Sequence, residues 1–194
     1  DGPPSELMMS GHIDVLDMRF DERIDWEDWV IELQGEHLED ASSEAWGDYF
    51  ALDIEISADD TIRMRNNLAD LTASGQLRIV GDTSRIGTVG DIRATPGGRV
   101  FLNEREFEVL RAELHFIDPY SYDPEVDLAL VTDVNTREES YRIDYRIVGP
   151  YSDWRTETSS NPGLPEADVH ALLLFGMTRA ELERYGGLGG ALAA

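Results

Sequence analysis

The chain has 194 residues, with 40 acidic against 16 basic side chains and a formal net charge of −24. That charge excludes a nucleic-acid-binding protein, which needs a basic face for phosphate, and disfavours an anionic membrane surface for the same reason. There is no cysteine, so disulfides and thiolate metal sites are excluded as well.

No linker divides the chain, and it reads as a single β domain over 1–194, with N-terminal strands and an acidic loop in 1–50 and a terminal helical segment at 164–185. No apolar run approaches the roughly 20 residues of a membrane-spanning helix. The opening Asp1-Gly2-Pro3-Pro4 lacks the pattern of a signal peptide.

In chain order, Leu16, Met18 and Phe20 alternate with Asp17 and Arg19, which predicts a half-buried strand. From Ile24 to Leu33 the signals conflict, because Trp26, Trp29, Val30 and Leu33 have helical spacing while their residue types favour a strand; a strand pair is the reading taken. The acidic stretch from Glu36 to Asp48 is expected to be a loop.

Beyond Phe50 the pattern sharpens. Leu52, Ile54 and Ile56 alternate strictly with charged or polar neighbours, Ala58-Asp59-Asp60 is expected to turn the chain, and Ile62 and Met64 alternate on the return. Leu77 and Ile79 oppose Gln76 and Arg78, and Thr95-Pro96-Gly97-Gly98 has the composition of another turn. Val100 and Leu102 then lead into a hairpin at Asn103-Glu104, returning through Phe107 and Val109. The apolar phase shifts from odd to even positions between Val109 and Leu114, so a bulge is expected near Arg111-Ala112 to restore the face. Leu114 and Phe116, then Val126, Leu128 and Leu130, then Ile143, Tyr145 and Ile147 continue the alternation, and a last strand is expected from Asp153 to Thr158.

Strands at intervals of roughly ten residues, without helical crossovers, predict an all-β fold built from an elongated antiparallel sheet. The pattern breaks only at the end. Asn161-Pro162-Gly163 is turn chemistry, Pro165 suits the first helical position, Gly176 stops the helix, and Thr178 with Glu181 forms a capping box for a second short one.

Catalytic chemistry finds little support. The four histidines, His12, His37, His115 and His170, stand in no catalytic motif, and His170 is read as a surface residue of the terminal helix. Asp59-Asp60 and the Asp118/Asp123 pair offer carboxylates, but without the spacing of a calcium loop they are read as turn residues. No enzymatic activity, no cofactor and no metal are expected. The long apolar face leaves two architectures open: a closed sandwich in which two faces bury each other, which composition alone favours, and an open trough.

The terminal stretch resembles the signature that closes the TamB C-terminal domains of the AsmA-like superfamily, in which a serine-rich turn precedes an apolar helix. The matching residues are Ser160, Pro162, Leu164, Leu172, Leu173, Leu174, Phe175 and Gly176. The family's small-residue turn is similar to Ser74-Gly75-Gln76-Leu77, its paired strands to Phe107, Val109, Leu114 and Phe116, and a further strand to Pro124-Glu125-Val126-Asp127-Leu128. Ala112 departs from it, standing where the family usually has glycine.

The resemblance implies a β-taco-like trough, a sheet curled with its apolar face open, and a short C-terminal helix. Its lining would be Leu52, Ile54, Ile56, Ile62, Met64, Leu77, Ile79, Phe107, Val109, Leu114, Phe116, Val126, Leu128, Leu130, Ile143, Tyr145 and Ile147. It also implies phospholipid acyl chains as cargo, and an outer-membrane β-barrel of the Omp85 type as a partner touched through Leu172, Leu173, Leu174 and Phe175. The expected place is the periplasm of a Gram-negative-type envelope, within a longer protein anchored in the inner membrane by a segment preceding these residues.

Overall fold

The computed structural model describes residues 7–23, 50–82, 85–102, 105–121 and 123–184. The stretch from Ile24 to Asp48, with its conflicting strand and loop signals, lies outside them. The described chain is one mixed sheet of ten strands followed by two short helices. The strands are β1 (Leu7–Asp14), β2 (Met18–Phe20), β3 (Phe50–Arg65), β4 (Ala69–Asp82), β5 (Ile86–Ala94), β6 (Arg99–Leu102), β7 (Arg105–Phe116), β8 (Glu125–Asn135), β9 (Ser140–Pro150) and β10 (Arg155–Asn161). The helices are α1 (Glu166–Phe175) and α2 (Arg179–Arg184).

From β3 onward every pairing is antiparallel, as the short connections require; β1 and β2 run parallel to β3 along one edge, and this makes the sheet mixed. The expected sheet curls without closing into a barrel, and no second sheet faces it among the described residues. No described helix is long and apolar enough to cross a membrane.

Of two expected turns, one is an irregularity inside a continuing strand and the other links two strands that run the same way. Ala58-Asp59-Asp60 does not reverse the chain: β3 runs straight through, with a register shift against β4 between Ala58 and Ile62. Asp60 takes a φ of 52°, and its carboxylate accepts hydrogen bonds from the hydroxyls of Ser74 (3.0 Å) and Thr95 (2.7 Å), so the same acidic residue that signals a turn fastens a bulge. Thr95-Pro96-Gly97-Gly98 is a turn at Pro96 and Gly97, as expected, but it does not reverse the chain. β5 and β6 run in one direction and fill successive lengths of the space between β4 and β7. The bulge expected near Arg111 is found between Val109 and Arg111, with Leu110 as the extra residue.

The other differences are small. The strand spanned by Met18 and Phe20 is exposed, because it lies at the sheet's edge, and the last strand covers Arg155–Asn161 where Asp153 to Thr158 was expected. Bulges bend and twist a strand, and these interruptions give the sheet its curl.

The closest approach that requires glycine is between β5 and β4. At Gly90 φ is +126° and an added Cβ would stand 2.0 Å from the Gln76 carbonyl oxygen on β4. Gly97 also has positive φ, +89°, but open space around it. Gly90→Ala should therefore lower the unfolding free energy by about 2 kcal/mol or more, and Gly97→Ala by about 1 kcal/mol, when compared in urea titrations. Equal losses would show that β4 and β5 do not approach as closely as described.

Candidate functional site

Alternation puts successive side chains on opposite faces of a sheet, so the register decides which residues share a surface. Ile54 pairs with Ile79 and Ile56 with Leu77, and beyond the β3 bulge Met64 pairs with Leu71. Across β5, Ile92 pairs with Leu114, which pairs in turn with Val126. Leu128 pairs with Ile147, and Leu130 with both Val109 and Tyr145. Followed strand by strand, these pairings bring every candidate lining residue, from Leu52 to Ile147, to one face.

The same face extends further than the sequence pattern suggested. Met9 and Ile13 pair with Leu52 and Ile56, and Met18 and Phe20 with Ile62 and Met64. Met9 and Ile13 alternate with Met8 and His12, a signal that was present but short.

The opposite face carries the charge. Arg78 binds Asp53 through two nitrogens, at 2.5 and 2.7 Å, and these hydrogen bonds hold the Asp53 carboxyl below its usual range. Arg99 reaches Asp70 at 2.7 Å, and Arg111 and Arg146 share Asp127 at 3.1 and 3.4 Å. Such exposed pairs add little stability, but they keep a broad sheet hydrated on one side.

The apolar face is covered unevenly. At the end where β8 turns into β9, α1 lies across it: Val169 and Leu172 pack on Val134, Tyr141 and Ile143, while Leu173 also reaches the cluster of Phe107, Val109 and Leu130. Ile143 and Leu172 are both 0% exposed. On β3 and β4, by contrast, Leu52, Ile54, Ile56, Ile62, Met64, Leu77 and Ile79 are only half-buried, and no described element is stacked on them.

Local chemistry fixes the helix in place. The Ser160 hydroxyl donates to the Pro162 carbonyl (2.9 Å) and accepts from the Leu164 amide (2.8 Å), which explains the serine in the turn. Gly176 ends α1 in the left-handed conformation, φ 70°. The expected partner-contact residues divide. Leu172 is sealed in the core and offers no free surface, Leu173 is half-buried, and Leu174 (60%) and Phe175 (49%) are exposed. His170 is exposed on the same helix.

Beside α1 the apolar face holds a cleft of about 270 Å³ lined by Leu102, Phe107, Leu173 and Leu174, with Arg105, Tyr145 and His170 at its polar margin. A larger cleft, about 550 Å³, lies elsewhere, among Arg19, Arg63, Arg65 and Asp70 at the ion-paired rim of β2 to β4. The acidic pairs hold no metal arrangement: Asp118 accepts the Tyr120 amide, Asp123 binds Ser152, and no cluster of metal-ligating side chains occurs among the described residues.

Among the described residues, a single mixed β-sheet, apolar on one face and charged on the other, with short helices at its C-terminal end, defines the class of protein. The model of the TamB C-terminal domain matches residues 31–194, and the chain belongs to that family. Membership assigns it, at a coarse level, to TamB-type translocation and assembly in the cell envelope. No curated protein matches the chain.

The capping box that begins α2 titrates. Burial pushes the Glu181 carboxyl up, but hydrogen bonds led by the Thr178 amide (2.9 Å) outweigh it, and the net pKa falls below the ordinary 4.5. A carboxyl depressed in the folded state stabilises fully above its unfolded pKa and loses that contribution as pH falls through its folded one. Glu181→Gln should therefore reduce stability by about 1 kcal/mol at neutral pH, and the gap to the parent should close on acidification below 4.5, measured by denaturant melts across pH. A gap independent of pH would show that the ionised carboxylate is not what holds α2.

Proposed function

We propose that this domain lines part of an intermembrane conduit, its apolar face sheltering phospholipid acyl chains on their way to the outer membrane. The carrying observation is the single apolar face that continues through all the paired strands, half-buried over β3 and β4, with no second sheet against it among the described residues. An acyl chain laid on such a face gains about 0.8 kcal/mol for each methylene kept from water. The mechanism is passive, with no catalytic group and no cofactor.

The same reading gives the domain a role in outer-membrane protein assembly, alongside an Omp85-type β-barrel in the periplasm of a Gram-negative-type envelope. Leu174 and Phe175 supply an exposed apolar pair on α1 for that contact. The edge formed by β1, with no strand against it among the described residues, and exposed Met8 and Met9 suit strand addition by a β-rich partner. The polar β10 edge suits it less.

Native mass spectrometry of the chain purified from cells, scored for copurifying phospholipid, tests the proposal. The parent should carry lipid. Leu77→Asp, on the half-buried part of the face, should stay folded and lose it, whereas Ile143→Asp, in the covered part, should unfold at a cost of several kcal/mol. A lipid-free parent, or a Leu77→Asp variant that unfolds as Ile143→Asp does, would overturn the reading in favour of a closed scaffold.

A further inference from the structure

Across the paired positions of the described strands, the apolar face carries one charged side chain, Arg105. It opens β7 opposite Leu102, two residues before Phe107 on the same face. Its Nε donates to the Leu173 carbonyl of α1 at 2.6 Å, one of the carbonyls that the helix leaves free at its negative end. Its other N–H groups have no partner among the described residues, and no described carboxylate pairs with it.

That isolation is unusual here. Arg19, Arg78 and Arg99 each hold an aspartate, and hydrogen bonds to it raise their pKa. Arg105 is partly withdrawn from water, and burial alone acts on it, downward. A guanidinium keeps its charge regardless, and a charge placed on an apolar surface is stabilised by an oxyanion that meets its planar fork. Beside it lies the cleft of about 270 Å³, walled by Leu102, Phe107 and Leu174. An ion with no hydrocarbon would leave those walls wet, and a hydrocarbon with no ion would leave the guanidinium unmatched.

We infer that Arg105 is a headgroup site: it takes the phosphate or carboxylate of an anionic amphiphile at the helix-covered end of the sheet, with the hydrocarbon running past Phe107 and Tyr145 toward Leu128. The inference rests on the acyl-chain reading of this face and adds to it a head, a charge and a direction.

The test is equilibrium binding of dodecyl phosphate, dodecyl maltoside and inorganic phosphate to the 194-residue chain, each amphiphile below its micellar concentration. The parent should bind dodecyl phosphate roughly tenfold or more above the uncharged maltoside. Arg105→Gln should erase that preference without weakening the maltoside, and Arg105→Lys should restore part of it. Three results overturn the inference while leaving the acyl-chain reading standing: equal binding of both amphiphiles to the parent, equal weakening of both by Arg105→Gln, as a role confined to holding α1 would give, or persistence of the preference in Arg105→Gln. Inorganic phosphate binding as tightly as dodecyl phosphate would identify a free-anion site instead. Failure of both amphiphiles to bind the parent would end the acyl-chain reading, and this inference with it.

Discussion

The structure depends on keeping one alternation in phase over a very wide sheet. A slip of a single residue in any strand would send that strand's apolar side chains to the charged face. The chain avoids this at each irregularity. Leu110 is passed over where Val109 and Arg111 take successive partners on β8, and two extra residues in β3 leave Ile62 on the same side as Ala58. Phase is thus preserved exactly where the strand bends, and the curvature and the dryness of the face come from the same positions.

The second determinant is α1, which makes the two halves of the sheet physically different. Where Leu172 and Val169 descend onto Ile143 and Tyr141, the apolar face is a conventional buried core. Over β3 and β4 the same residue types are left half-buried. Leu173 joins the two clusters, and Arg105 is drawn to the end of that helix by the carbonyl Leu173 exposes. The helix therefore closes one end of the face and holds the one charged side chain among its described paired positions.

Much of this was legible in the sequence because alternation is a local signal. Strict patterns such as Leu52, Ile54 and Ile56 place the strands, and a parity change between Val109 and Leu114 locates a bulge to within a residue or two. The terminal wording, Ser160 through Gly176, gives the family. What was not legible depends on distant partners. Ala58-Asp59-Asp60 and Thr95-Pro96-Gly97-Gly98 have the chemistry of reversals, and only the pairing of the residues beyond them shows that the chain runs on. Within α1, Leu172 and Leu174 are identical by type, and only the position of Ile143 beneath the helix separates a core residue from an exposed one.

The described sheet is one layer thick, which gives it a further thermodynamic character. Each strand's principal neighbours are the two it is hydrogen-bonded to, so stability accumulates interface by interface, as in repeat arrays, and cooperativity decays with distance along the row. The exception is the region clasped by α1, where β7, β8 and β9 are joined through a shared core. Amide exchange should grade from rapid fraying at β1 and β2 to strong protection around Ile143, so the part of the molecule with the loosest hold on its own structure is the part whose apolar surface is most available.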